Sequence, residues 1–253
     1  SYAWDLGTVP DAYRAARIGS RRPNNTELAA ALGPLPLVHA PGTCWEYSRA
    51  TDVLGAVLEV IEGEPLGAIL QRRVFGPLGM HDTGFSVPAA QQHRLAEPFA
   101  LDPQTGLKVA LIDVTVPPVF ESAGGGLVST ARDYARFLQL MLGRGTAPGA
   151  HGPVRLLGGA TVDFMTADHL GSLPVAGDIL PTGHGFGLGV AVRTASGLAT
   201  RPGSAGQYSW SGLGGTFFFV DPVEDLFAIL LTQAPGQLRY LCELYPALVY
   251  AAL

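Results

Sequence analysis

The chain has 253 residues, of which 47% are hydrophobic and 15% charged, with 33 Gly and 20 Pro. That composition excludes a disordered chain and fits one compact domain, or a domain plus a subdomain, rich in tight turns. A net charge of -5, no basic run longer than two residues and Lys108 as the only lysine remove the electrostatic footprint of a nucleic-acid binder.

No apolar stretch reaches the ~18 residues needed to span a membrane, and Ser1 to Trp4 show no basic region leading into an apolar run, so no signal peptide is visible. Cys44 and Cys242 lie far apart without C-x-x-C spacing and read as two buried thiols. The six His residues lack H-E-x-x-H or comparable spacing, so neither a metal nor a cofactor is expected.

In chain order, Pro10, Pro23, Pro34 and Pro36 separate short helical pieces such as Asp11 to Ile18 and Glu27 to Leu32. From Thr51, the residues Val53, Leu54, Val57, Leu58 and Ile61 recur at helical spacing and stop at Gly63, a C-terminal signal. Pro65 opens a second helix with Leu66, Ile69, Leu70 and Val74 on one face, which Gly76 and Pro77 should end. Residues 86 to 118 alternate loosely between prolines and read as loops and weak strands. A helix is predicted from about Ala131 to Gly143, with Asp133 in its first turn and an apolar stripe of Tyr134, Phe137, Leu138, Met141 and Leu142. Another short helix is predicted over Ala160 to Ala167.

The last third changes character. Gly187 to Val192, Gly215 to Val220 and Leu226 to Thr232 read as antiparallel strands separated by turn residues. A closing helix follows from Gln237, which Pro246 should kink or restart. The expected class is therefore α+β, an antiparallel sheet flanked by helices. Residues from 1 to about 180 are mainly a helical subdomain, and residues from about 181 to 253 hold the sheet strands and closing helix.

Three segments are candidates for chemistry. Pro41 to Ser48 sets a turn, two aromatics and a hydroxyl before the helix; Tyr47 there can pack, donate a hydrogen bond or, beside a cation, act as a base. Gln207 to Thr216 is a glycine-dense approach to the strand at Phe217, either a hairpin turn or a place where free N-H groups meet a substrate oxyanion. Ser122 to Leu127 lacks phosphate-loop spacing and reads as a tight turn. His184 reads as structural, because no G-x-S-x-G elbow accompanies it.

Taken in order, the segments resemble the serine β-lactamase and penicillin-binding-protein superfamily, especially its class C-like esterases, often called family VIII carboxylesterases. Pro41-Gly42-Thr43, Tyr47-Ser48 and Asp52-Val53-Leu54-Gly55 are similar to that family's tyrosine loop and the helix after it. Val74 to Met80 with Asp82-Thr83-Gly84-Phe85, Ser122 to Tyr134, Gly185 to Gly189 and Phe219-Val220-Asp221-Pro222 resemble its later signatures.

In that family the Ser of an S-x-x-K motif attacks a carbonyl, a Lys and a Tyr move protons, and backbone N-H groups hold the oxyanion. The resemblance implies that Tyr47 is the proton-transfer residue. It implies that Trp210-Ser211-Gly212 replaces the K-T-G segment, with Trp210 lining the acyl pocket and the Leu213 N-H as an oxyanion donor.

Two departures favour neutral esters over β-lactams. Arg49 stands where the β-lactamases carry the Asn of Y-x-N, and Trp210 stands where they carry the K-T-G Lys that pairs with a carboxylate.

Thr105, not Ser, stands three residues before Lys108, so the chain holds no S-x-x-K. Ser1-Tyr2 resembles the end of a G-L-S-Y stretch that follows the motif. The expectation is therefore a β-lactamase-like domain lacking its N-terminal part, which carries the nucleophile and associates with this chain to cover a sheet edge.

The expected activity is hydrolysis of a small-molecule ester through an acyl-enzyme. The alternatives are a non-catalytic binding homologue, or a β-lactamase, D-amino peptidase or acyltransferase.

Overall fold

A computed structural model describes residues 8–109 and 111–253; Ser1-Tyr2 and the stretch read for a signal peptide lie outside them. The first helices are α1 (Thr8–Ala15) and α2 (Asn25–Leu32). Helix α2 opens with a capping box, in which Asn24 and Glu27 satisfy each other's backbone N-H groups.

Helix α3 (Ala50–Glu62) ends on left-handed Gly63 (φ 71°), as expected, but its apolar stripe is not the buried face. Asp52, Gly55 and Ala56 are buried, whereas Leu54, Val57, Val60 and Ile61 are exposed. Small residues decide this, since a Cβ on Gly55 would lie 2.9 Å from the Ala123 Cβ. Only glycine permits that approach. Val53, Val57, Val60 and Ile61 instead wall an open apolar groove with Thr26 and Ala29 of α2.

Helix α4 (Leu66–Leu70) was expected to end at Gly76 and Pro77. It runs on through a π-helical turn (Gln71–Phe75) into α5 (Gly76–Leu78), and the chain turns out only at left-handed Gly79 (φ 67°). Pro77 stands where the π-helical turn passes into α5, two residues before the chain turns out. Helix α6 (Ala131–Leu142) is capped by the Thr130 side chain. A two-stranded ribbon, β1 (Thr146–Ala147) with β2 (Val154–Arg155), leads to α7 (Gly159–Met165).

The main sheet is antiparallel, in the order β3 (His184–Phe186), β4 (Ala191–Arg193), β5 (Tyr208–Gly212), β6 (Thr216–Asp221), β7 (Leu226–Leu230). The run Gly187 to Val192, expected as one strand, is the turn and second arm of the β3–β4 hairpin, with Gly189 at φ 97°. Glycine density likewise obscured β5, which pairs fully with β6 from Tyr208↔Val220 to Gly212↔Thr216. Among the described residues β7 pairs with β6 alone.

One sheet face packs Val192, Tyr208 and Val220 on Leu138 and Met141 of α6. The other packs Phe217, Phe219 and Ala228 on α8 (Leu238–Tyr250).

Helix α8 is continuous through Pro246, so it does not restart there. Proline cannot donate to the carbonyl four residues back, that of Cys242. The buried Arg201 guanidinium supplies the missing donor, with Nη1 2.8 Å from the Cys242 oxygen. Both cysteines are free and half-buried rather than buried, and burial pushes the Cys242 thiol up to about 11.

Candidate active site

The site forms where the tyrosine loop crosses the sheet. Trp45 N-H donates to Pro174 O, and Ala176 N-H donates to Trp45 O, each at 2.8 Å, so a short parallel bridge fixes the loop. His39 Nε2 lies 2.9 Å from Glu46 Oε2 beside it. This anchoring carries Tyr47 over β5, with its ring 5.1 Å from that of Trp210. The indole Nε1 donates to Tyr47 Oη at 3.4 Å. Phe186 of β3 closes the group, 4.8 Å from Trp45 and edge-on to Trp210 at 5.1 Å.

An apolar cavity of about 240 Å³ adjoins Trp210, lined by Tyr134, Phe137 and Met141 of α6 and by Met165, Leu188 and Phe218. Burial raises the pKa of the Tyr134 and Tyr208 phenols. Both stay protonated at neutral pH and serve as packing.

The Gly-rich loop beside α3 is tied to the tyrosine loop through one carboxylate. Buried Asp52 accepts Ser122 Oγ at 2.7 Å and Gly124 N-H at 3.0 Å, and its other oxygen faces Arg49 Nη1 at 3.3 Å. Glu121 accepts the Gly67 N-H at 2.7 Å. The loop is thus a tight turn, closed by Gly126 N-H to Ser122 O, and the bracket that holds α3 and α4 together. Asp133 does the same for the Asp82-Thr83 segment, accepting Asp82 N-H at 2.7 Å and Thr83 Oγ1 at 3.0 Å.

The structure brings Tyr47 and Trp210 together from opposite ends of the chain. Ser211 alternates to the other sheet face, opposite Phe217, and can act here only through its backbone. Gly212 closes β5 against Thr216, and Gly215 N-H returns to Gly212 O at 2.9 Å. Leu213 at the tip is 77% exposed, and its N-H meets no acceptor among the described residues.

His184 stands on the edge strand β3, its Nδ1 3.1 Å from Thr182 O, and burial lowers its pKa. Thr105 donates its hydroxyl to Asp102 within a hairpin. Sequence reasoning missed Trp45 and Phe186 as walls of the site. The glycines flanking Phe186 were the available signal, but the bridge from Trp45 to Val175 leaves no local trace.

Residues 4–253 match the Beta-lactamase family. The chain belongs to that family. It is 42% identical over 213 residues to Protein Rv1367c of Mycobacterium tuberculosis, covering 81% of this chain and 52% of that protein. It is 33% identical over 220 residues to Esterase EstB of Burkholderia gladioli, covering 80% and 53%. The structure of EstCE1, a hydrolase with promiscuous acyltransferase activity, superposes with a TM-score of 0.74 at 26% identity, over 90% of this chain and 62% of that one.

The fold is the β-lactamase-like one, an antiparallel sheet flanked by helices, and the chain spans about half the length of the curated relatives it matches.

Proposed function

We propose that the full-length protein is a serine carboxylesterase, with its nucleophile on a Ser of an S-x-x-K motif N-terminal to residue 1. The observation that carries this reading is the contact of Trp210 Nε1 with Tyr47 Oη at 3.4 Å, since it holds a phenol oxygen beside the strand that leads to the exposed Leu213 N-H. Esterase EstB, so named and 33% identical, supports the ester as substrate.

In this reading Tyr47, its phenol proton taken by the Lys amine, accepts the proton of the Ser hydroxyl at Oη as the Ser oxygen attacks the ester carbonyl. The oxyanion forms against the Leu213 N-H, and the alkoxide leaves with a proton delivered by Tyr47 Oη. Water then attacks the acyl-enzyme, losing its proton by the same route, and releases the acid and the free Ser. Trp210, at the position of the family's K-T-G Lys, presents aromatic surface together with Trp45 and Phe186 beside it, which suits an uncharged acyl group. The Arg49 guanidinium is drawn to Asp52. An N-terminal segment would also cover the edge of β7 that has no partner among the described residues.

The test is intact mass of the full-length protein before and after a fluorophosphonate, together with p-nitrophenyl ester hydrolysis. One adduct on the S-x-x-K serine is expected, and Tyr47→Phe should lower kcat/KM by roughly 10²–10⁴-fold. No adduct and no hydrolysis would leave a non-catalytic homologue, and faster turnover of a chromogenic cephalosporin would make β-lactams the substrate.

A further inference from the structure

We infer that Thr232 is a positioning residue for the oxyanion donor, an inference that rests on the esterase reading and on Leu213 as that donor. The turn after β5 has no regular partner strand to hold it, yet an N-H that must meet a developing charge has to be fixed in advance. The segment that follows β7 does the holding. Thr232 Oγ1 donates to Gly215 O at 2.6 Å, and Ala234 N-H donates to Gly214 O at 2.8 Å. Two consecutive carbonyls of the turn are thus bound by the segment after β7. With Gly215 N-H on Gly212 O at 2.9 Å, the peptide units around Leu213 have little freedom left.

The contact is too close for any side chain at Gly215. Its φ is 109°, and a Cβ there would stand 2.7 Å from Thr232 Oγ1 and 2.9 Å from Ala234 N. The grip is itself anchored. Past Ala234 the chain makes a 3-10 turn (Pro235–Gln237), where Gln237 Nε2 donates to Asp102 at 3.3 Å and Gly236 packs on the same carboxylate. Asp102 also binds the N-H groups of Gln104 and Thr105. One continuous strap therefore links the sheet, the turn and the hairpin around Asp102. Thr232 itself touches no substrate in this arrangement and acts through Leu213.

A donor that matters only when charge develops affects kcat and leaves KM nearly unchanged. Acylation and deacylation both pass through an oxyanion, so the effect appears whichever step limits. The experiment uses the full-length protein with p-nitrophenyl acetate and butyrate, comparing Thr232→Val, Thr232→Ser and Gly215→Ala, with thermal melts alongside. Thr232→Val, nearly isosteric but without the hydroxyl, is expected to lower kcat about 10–100-fold with KM within about twofold, a fraction of the ~10²–10³ lost with a whole oxyanion donor. Thr232→Ser should stay within about threefold of wild type, and Gly215→Ala, which pushes the turn off its anchor from the other side, should repeat the kcat loss.

Three results would overturn the inference while the esterase reading stands: Thr232→Val within about threefold of wild type, Thr232→Ser as impaired as Val, or a loss confined to KM. A wild-type protein inactive on every ester would overturn both.

Discussion

Arg201 and Pro246 form a pair whose coupling can be measured. Removing the guanidinium by Arg201→Leu leaves the Cys242 carbonyl without its donor at 2.8 Å, inside a helix where Pro246 cannot replace it. An unpaired buried carbonyl costs about 1–3 kcal/mol. Loss of the cation over the Phe217 ring, 5.6 Å from its centroid, adds about 1 kcal/mol. The Glu243 contact at 3.4 Å adds little, because that carboxylate is half exposed. Leucine recovers part of the loss through apolar burial, so the net cost should be about 2–3 kcal/mol.

In a Pro246→Ala background the new N-H at 246 reaches the same carbonyl, and Arg201→Leu should cost about 1–1.5 kcal/mol less. Urea denaturation of the four proteins, with m-values checked for constancy, closes the cycle. Additivity within ~0.3–0.5 kcal/mol would refute the claim that Arg201 repairs the proline gap, leaving it only a packing role.

Gly55→Val should destabilise by about 2–3 kcal/mol, because its Cβ would meet the Ala123 Cβ at 2.9 Å where neither backbone can retreat. Gly125→Ala, facing open space, should stay within ~0.5 kcal/mol, and matched urea midpoints decide between them. For pH, the Thr105 N-H hydrogen bond holds the Asp102 carboxyl below its ordinary range against the opposing effect of burial. A lowered folded value means that the unfolded chain binds the proton first on acidification. The stability due to Asp102 is therefore complete above about pH 4 and lost as pH falls through the folded value. Melting temperatures of wild type and Asp102→Asn should differ at pH 6 and converge as pH falls below the folded value, whereas a gap independent of pH would exclude the linkage.

Elements with complete local signals were legible. Helix α6 has a cap at Thr130, an apolar stripe and a stop at Gly143, and each signal agrees with the others. Helix α3 was legible in extent but not in orientation. Its apolar period is real, yet the face that packs is chosen by the close approach at Gly55 and the carboxylate at Asp52, neither of which a hydrophobic stripe reports. That the helix does not restart at Pro246 was hidden for the same reason, because the donor that serves the Cys242 carbonyl lies at Arg201, on a distant loop. The glycines at 212, 214 and 215 diluted the strand signal of β5, although those glycines make the turn after it possible.

The candidate site shows the limit more sharply. Residue chemistry alone left Tyr47 open between packing and proton transfer, and the resemblance assigned its role, but neither indicated what holds it. The family's motif positions hold one another: Asp52 of one segment binds Ser122 and Gly124 of another, and Asp133 binds the backbone at Asp82. A linear reading finds each motif and misses the pairing, because a buried carboxylate in sequence looks the same whether it caps a helix or binds a distant loop. The Leu213 turn follows the same logic from the other direction. Its anchor, Thr232, belongs to none of the recognised segments, so only the fold could point to it.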